Sequence, residues 1–457
     1  MSASAPHPHT KQTTDQPNLW FEWLQRAAKE LKIDHPDSLI QTDSNGIVRA
    51  PYYTSDGPFA YAKPLLPFGE DSDPFALAPA WLAVAPVGGH SPSDINTRAL
   101  HALQHGGEAL LLDGSGLSPE HLAESLQGIL PQFAPLLFQG MNAGVLFDGF
   151  AHWMRQGNIA PQHIQGALLC DAVDLLVMDE REWTKIEDQF AFDVPNFNPI
   201  GVDTADWRAW GLSAPQELAL SWLCVYRRLS IHAHQTSKDS GHSKPGLPLY
   251  LSVGCTTEFF DELARLRALR AGIHRVAWLF SEPKDTGSSF RFEPQILVRI
   301  PKENLPTDDP HTNLLRLTTM GVSAVLGGCT ALSLPPFDPQ NQDNGDYFAD
   351  ELSLQMQMIL RHEAFPRLPL DAGAGSGYIE HLSRSFGERA WSIFGELVAL
   401  CTPDNTWNAT ALRSVLNEWC LQGKALEQEM RNSGRRIRVG VDRYRIDGIN
   451  PMNPSAS

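Results

Sequence analysis

Side chains that could do chemistry are sparse and scattered in this chain. His232 and His234 stand two residues apart, and imidazole is the commonest metal ligand in proteins. Two imidazoles do not complete a metal site, which takes three or four protein ligands, so the pair reads as polar residues at a loop edge. Asp371 to Gly377 (DAGAGSG) has the glycine content of a phosphate cradle. It does not sit in the strand–GxGxxG–helix context that aims backbone N–H groups at a phosphate, and it reads as a turn. Cys170, Cys224, Cys255, Cys329, Cys401 and Cys420 lie far apart in apolar contexts and form no CxxC pair. They read as buried, reduced thiols of a cytosolic protein rather than a disulfide framework. Leu354, Met356 and Met358 are spaced two apart, so on a helix they make no single stripe and read as core or interface residues. From these patterns no catalytic, cofactor-binding or metal-ligating residue is assigned.

The elements that would have to position any site are clearer. The chain has 457 residues, 42% of them hydrophobic and 19% charged, ample for a large core. Its net charge of −17 argues against nucleic acid or anionic membranes as partners. No apolar run reaches the roughly 18 residues of a membrane span. The first residues, MSASAPHPHTKQTTDQPN, have no apolar h-region and read as a disordered tail.

An amphipathic helix is expected over residues 19–32, with Leu19, Trp20, Trp23, Leu24 and Ala27 on one face. Ser44-Asn45-Gly46 then signals a hairpin. Residues 55–79, rich in Pro, Gly, Asp and Phe, read as an extended arm. From Ala80 the chain alternates. Strands are expected at Trp81–Ala85, Ala109–Asp113, Pro135–Gln139, Gln165–Asp171, Pro199–Asp203, Pro248–Gly254, Gln295–Ile300 and Ala331–Leu334. Helices are expected from Ser91-Pro92 to His105, Ser118-Pro119 to Leu130, over 142–156, Ser213 to Ile231, Thr256 or Thr257 to Arg270, and Asp309-Pro310 to Gly327. The buried stripe of that last helix is read as Leu314, Leu317, Gly321, Ala324 and Val325. Long helices follow at Tyr347–Glu363, Ile379–Leu397 and Ala409–Met430, and GRRIRVGVDRYRI reads as a basic, strand-like tail. Residues 234–244 read as a mobile surface loop. Eight short apolar strands alternating with helices give an α/β class, and the count favours a closed TIM (β/α)8 barrel over an open sheet. The expected domains are a tail at 1–18, an arm contacting another subunit at 19–79, the barrel at 80–400, and a C-terminal helix and tail at 401–457.

Several segments carry a family resemblance. TNLLRLTTMGVSAVLGGCTALSLPPFD (312–338) resembles the late barrel segment of the methylmalonyl-CoA mutase family, and is most similar to the small (β) subunit, whose strand ends in Pro-Phe-Asp. WLQRAAKELK with TDSNGIVRAPYYT resembles the opening of the mutase subunits. QELALSWLCVYRRL (216–229), YLSVGCTTEFFDELARLRALR (250–270), LSLQMQMILRHEA (352–364) and DAGAGSGYIEHLSRSFGERAW (371–391) are similar to further family segments, in the family's order.

The resemblance implies a TIM barrel fused to, or paired with, a flavodoxin-like cobalamin domain. It also implies the adenosylcobalamin-dependent interconversion of (R)-methylmalonyl-CoA and succinyl-CoA. The family's catalytic chains bind cobalamin through Asp-x-His-x-x-Gly. The nearest run here is Asp309-Pro310-His311-Thr312-Asn313-Leu314, with leucine for the glycine and the start of a barrel helix for the context. After strand five the catalytic chains carry Phe-Asn-Ser-Ile-Ser-x-Ser-Gly-Tyr-His. The matching run here is Phe197 to Asp206, with Asp206 in the histidine position. A carboxylate there repels the substrate's carboxylate and the developing charge of the thioester. The substrate-contacting arginine-tyrosine stretch is not recognisable in Pro86 to Asn96, and too few residues follow the barrel for a cobalamin domain. The expectation is therefore a cytoplasmic, non-catalytic small subunit with no cofactor of its own, paired with a large (α) subunit that holds adenosylcobalamin and does the chemistry of propionate metabolism. A barrel enzyme acting on another acyl-CoA and a mutase-binding regulatory module stay open as alternatives.

Overall fold

The computed structural model describes residues 19–34, 36–54, 59, 65, 81–236, 249–280, 294–338, 347–364, 369–400 and 407–445. The tail at 1–18, most of 55–79 and the loop expected at 234–244 beyond Thr236 lie outside these residues.

Helix α1 (Leu19–Leu31) opens the chain, followed by a short hairpin of β1 (Gln41–Thr42) and β2 (Val48–Arg49). The barrel strands are β3 (Leu82–Val87), β4 (Ala109–Asp113), β5 (Leu136–Gln139), β6 (Gly166–Asp171), β7 (Phe197–Asp203), β8 (Tyr250–Val253), β9 (Gln295–Arg299) and β10 (Ala331–Ser333). They pair in parallel in that order, and β10 closes on β3. Around them run α2 (Pro92–Gln104), α3 (Pro119–Ser125), α4 (Ala143–Gly157), α5 (Ala172–Val177), α6 (Glu180–Asp193), α7 (Ala205–Ala209), α8 (Ala214–Thr236), α9 (Phe259–Trp278), α10 (Thr312–Leu326) and α11 (Phe348–Ile359). Beyond these lie α12 (Gly377–Val398) and α13 (Ala409–Asn432).

The alternation of side chains along each strand builds two cores. Val84, Ala109, Leu111, Leu137, Ala167, Leu169, Leu297 and Ala331 point inward and fill the barrel axis, with Leu82 and Tyr250 against them. Their strand neighbours Leu110, Leu112, Leu136, Phe138 and Leu168 point outward against α2, α3 and α4. Strands buried on both faces read as continuous apolar runs, which is why ALLLD and GALLC were recognisable.

The differences from the expected elements have local causes. Helices α5 and α6 were not anticipated; Asp171 caps the first by accepting from Val173 N–H (2.9 Å), and Asp179 caps the second by accepting from Arg181 N–H (2.8 Å). Helix α3 ends at Ser125 rather than at Leu130, and the chain turns through Gly128 at φ +77°. Helix α9 runs eight residues past Arg270, to Trp278. Helix α10 starts at Thr312, whose N–H donates to Asp309 Oδ1 (3.3 Å), so Asp309 caps from three residues away rather than as the adjacent residue. Its buried side carries Asn313, Leu317, Met320, Gly321, Ser323 and Ala324, while Leu314 and Val325 are only half-buried. Within the described residues the basic tail is a turn and not a strand: Arg436 pairs with Glu427 (2.6 Å) and Glu258, and Val439 forms a single bridge with Arg443.

Helix α9 is buried on all sides from Glu262 to Arg270. Arg265 there donates to Glu262 Oε2 (2.7 Å), to Glu217 Oε2 on α8 (2.9 Å) and to Gly254 O at the end of β8. Gly254 N–H in turn donates to Glu217 Oε1 (2.8 Å), and Thr256 Oγ1 donates to Glu262 Oε1 (2.7 Å). Removing the arginine would leave two buried carboxylates with only the more distant Arg208, 3.8 Å from Glu217 and 3.4 Å from Glu262, which costs about 3 kcal/mol, the low end for a broken buried pair. The variant Arg265→Ala is therefore expected to lower stability by about that amount in urea denaturation, and Arg265→Lys, which lacks the planar fork, to recover only part of it. A loss below about 1 kcal/mol for Arg265→Ala would show that the clamp is dispensable.

Candidate functional site

In (β/α)8 barrels chemistry is done at the C-terminal ends of the strands. In this barrel that end carries Asp171 on β6, Asp203 on β7 and Arg299 on β9. Asp171 and Asp203 are register partners on adjacent strands. Arg299 follows the inward-facing Leu297 by two residues, so it also faces the mouth. Its Nη2 lies 3.0 Å from Asp203 Oδ2 and 2.9 Å from Asp206 Oδ1. Asp203 is held in place by Ala205 N–H, which donates to its Oδ1 (3.0 Å) as the chain turns into α7. Burial works against the Arg299 charge, and the two carboxylates outweigh it, so its pKa stays above the ordinary arginine value.

Asp171 is a carboxylate under strain of burial. Its Oδ1 accepts from Val173 N–H and its Oδ2 from the indole N–H of Trp207 (2.7 Å). Burial pushes its pKa above the usual carboxylate range, and the Trp207 bond pulls in the opposite direction without cancelling the rise. Nearby thiols are poor nucleophiles. Burial pushes Cys170 up to about 12 and holds Cys224 and Cys255 well above the ordinary thiol value.

This arrangement neutralises charge within the protein. It offers an arginine already engaged by two carboxylates, and no imidazole at the Asp206 position. General acid–base catalysis wants a group poised to exchange a proton near the working pH; Asp203, Asp206 and Arg299 are spent on one another, and Asp171, raised by burial, is committed to Val173 N–H and the Trp207 indole.

The other sequence candidates lie elsewhere. His232 and His234 sit on the last turns of α8, not on a loop edge, and face different partners: His232 Nε2 is 3.0 Å from Glu187, and His234 Nδ1 is 3.8 Å from Glu180. His311 is the residue before α10, its ring 5.7 Å from that of Phe337. Asp309, Pro310 and His311 thus form a helix start, with Asp309 committed to Thr312. Pro86 and Val87 end β3, and Ser91 caps α2 by accepting from Asp94 N–H (3.2 Å). Asp371 to Ser376 is a turn leading into α12 at Gly377, in which Asp371 Oδ1 accepts from Gly373 N–H (3.0 Å) and Glu380 Oε1 from Gly375 N–H (3.1 Å). Leu354 is buried, and Met356 and Met358 are half-buried, on α11. The sequence reading missed Asp203, Arg299 and Asp171. Their signal was positional, since each is the polar end of an apolar strand.

The family model for methylmalonyl-CoA mutase matches residues 158–455. The chain belongs to the methylmalonyl-CoA mutase family. It is 25% identical to the methylmalonyl-CoA mutase small subunit of Porphyromonas gingivalis (strain ATCC BAA-308 / W83), over 67% of this chain and 50% of that one. It is 26% identical to the methylmalonyl-CoA mutase small subunit of Streptomyces virginiae, over 79% of this chain and 59% of that one. A methylmalonyl-CoA mutase of Rhizobium meliloti (strain 1021) is 25% identical over 75% of this chain and 46% of its own length. The chain thus spans about half the length of these curated relatives. Membership of the family implies adenosylcobalamin in the active enzyme. His311, the residue that the run Asp309 to Leu314 would offer as cobalt ligand, does not fit that role: it stands at a helix start beside Phe337.

The burial of Asp171 yields a pH signature. Its folded pKa lies above its unfolded value, so the folded state takes up the proton first, and stability rises as pH falls from neutral through that folded pKa. Replacing Trp207 by Phe removes the N–H that favours the charged form and raises the folded pKa further. We expect Trp207→Phe to cost about 1.5–3 kcal/mol at pH 7 for the lost bond to a charged acceptor. The deficit should shrink on acidification, as read from urea midpoints between about pH 7 and 4.5. Parallel profiles for the two proteins would mean that the indole N–H does not serve the carboxylate.

Proposed function

We propose that this chain is the non-catalytic small subunit of an adenosylcobalamin-dependent methylmalonyl-CoA mutase, working in the cytoplasm beside a large subunit that holds the cofactor and interconverts (R)-methylmalonyl-CoA and succinyl-CoA. The observation that carries this reading is Arg299 held between Asp203 and Asp206 at the mouth of the barrel. The family's catalytic position is there a carboxylate spent on an internal ion pair. Relatives named as small subunits support the same reading. None of the helices among the described residues is long and apolar enough to cross a membrane.

The isolated chain is expected to retain no corrinoid absorbance through gel filtration, and to produce no succinyl-CoA when adenosylcobalamin and methylmalonyl-CoA are added. Asp206→His should not restore turnover, because an imidazole at that position still lacks the cobalt-ligating loop. Succinyl-CoA formed by the isolated chain would refute the proposal.

The N-terminal arm supplies the proposed subunit contact, and α1 presents the most exposed large apolar side chains among its described residues. Only Leu24 of α1 is buried; Trp23 stacks on Tyr52 (5.2 Å), while Leu19 and Phe21 are 53% and 55% exposed. A 13-residue helix is marginal in water and needs a surface to rest on. Phe21→Glu is expected to weaken capture of the large subunit on co-expression by about 2 kcal/mol, roughly 30-fold, as for a central aromatic anchor. The monomer's circular dichroism should be unchanged. Full retention of the complex would place the interface on the barrel helices.

A further inference from the structure

We propose that His101, His105 and Glu351 form a binding site for a divalent transition-metal ion of the zinc class, pinning α2 to α11. This site lies outside the Asp203–Arg299 mouth and does not depend on the subunit's role in the mutase. His101 and His105 are four apart on α2, so they share one face. Glu351 reaches them from the first turn of α11. His101 Nε2 lies 3.1 Å from Glu351 Oε1, and His105 Nε2 lies 3.7 Å from the same oxygen. The three donor atoms all fall within 4.8 Å of one another. Around a tetrahedral ion with bonds of about 2.0–2.1 Å, neighbouring ligand atoms stand roughly 3.3 Å apart, so the two spacings bracket the required one.

The protonation pattern argues for a cation at this point. His105 Nδ1 is 2.8 Å from the carbonyl oxygen of His101, which can only accept, so Nδ1 carries the proton. In the neutral ring Nε2 then presents its lone pair toward a carboxylate oxygen. That is a repulsive contact unless a cation lies between the two. A nitrogen fixed in this tautomer by a carbonyl on its far side is how metal-bound histidines are usually oriented. The His101 ring is held between those of His105 (4.0 Å) and Tyr347 (4.3 Å). The second carboxylate nearby, Asp350, is drawn off by Arg98 (3.7 Å), leaving Glu351 for the imidazoles. A cavity of about 40 Å³, lined in part by His101, Glu351, Tyr347 and Arg98, adjoins the cluster. It has room for a water as the fourth ligand, completing a two-histidine, one-glutamate set. The ion would hold the first helix of the barrel to the last.

A second proton on His105 is the competing cation, and the experiment separates the two. The full chain, carrying no affinity tag, is dialysed against a chelator and titrated with Co2+, then with Zn2+ as competitor. One equivalent of Co2+ with visible d–d bands of a four-coordinate site, displaced by Zn2+, is expected. Zn2+ should also raise the melting temperature. His105→Ala and the isosteric Glu351→Gln should each weaken binding at least about 100-fold and abolish the bands and the thermal shift. His152→Ala, which removes an imidazole 3.8 Å from Glu120 elsewhere on the surface, should change neither. Absence of bound metal in the unsubstituted chain would overturn the proposal, as would Co2+ spectra unaltered by His105→Ala and Glu351→Gln.

Discussion

A guanidinium cannot lose its charge and cannot be left unpaired away from water, and α9 buries three of them within six residues: Arg265, Arg267 and Arg270. Each must find acceptors in a different direction. Arg265 turns toward α8 and the end of β8. Arg270 reaches Gly328 O at the turn after α10 (2.7 Å). Arg267 turns outward, donating to Asp371 (2.9 Å), Glu380 (2.8 Å), Ser383 Oγ (2.8 Å) and Leu65 O (2.7 Å). These bonds specify which elements pack on α9 and at what height, a selectivity that apolar contact alone lacks. Glycine makes the packing tighter at one point: a Cβ on Gly272 would meet Trp222 at 2.0 Å, and the indole N–H instead donates to Leu269 O (3.1 Å). Helix α12, which belongs to no barrel repeat, is thereby fixed across α8 and α9 as a second outer layer.

The segments that carry the family resemblance are the ones that meet in this network. Glu217 comes from QELALSWLCVYRRL, and Gly254, Thr256, Glu262, Arg265 and Arg267 from YLSVGCTTEFFDELARLRALR. Asp371, Glu380 and Ser383 come from DAGAGSGYIEHLS. In this chain those stretches hold α8, α9 and α12 together. At the mouth, by contrast, the run from Phe197 to Asp206 departs from the family pattern. Scaffold and site can diverge because the charges that hold the scaffold are buried and over-determined, whereas the mouth pair Arg299–Asp206 is half open to water, with Asp206 47% exposed.

How much of this could be read beforehand follows from the range of the interactions. The barrel strands were legible because each is a short apolar run bounded by turn residues, a local signal. Helix α5 was not, because it is only six residues long and Asp171 serves both as strand end and as cap; α6 was passed over although Trp183, Ile186, Glu187 and Phe190 fall at helical spacing. The length of α9 was underestimated for another reason: a helix buried all round has no polar face, and its arginines look like a solvent edge. The mouth was half legible. Asp206 stood out by comparison with a motif, but Arg299 looked like the tail of a strand until the barrel brought β9 beside β7. The pair His101 and His105 has helical metal-site spacing in the sequence, yet spacing alone did not single it out, because its third member comes from the opposite end of the barrel.

The arm shows where local reading reaches its limit. Its aromatic residues suggest a wrap around a partner, yet two described points of its extended part touch this chain. The Phe59 ring lies 5.0 Å from that of His381, and Leu65 N–H donates to Glu380 Oε2 (2.7 Å). Arg49 of the hairpin is likewise fastened to Asp261 of α9 (2.6 Å) and to Tyr378 Oη of α12 (2.9 Å). The hairpin and these points of the arm therefore belong to the subunit's own outer layer and lean on the α9–α12 ion network. Among the arm's described residues, α1 carries the most exposed aromatic side chain, Phe21 at 55% against 39% for Tyr52. A surface anchored at its base in this way is ordered before any contact is made, and association through a pre-ordered surface costs less ordering entropy than association through a free chain. The buried arginines of α9 thus act at a distance: by fixing α12 they fix the hairpin and these points of the arm, and with them the base from which α1 extends.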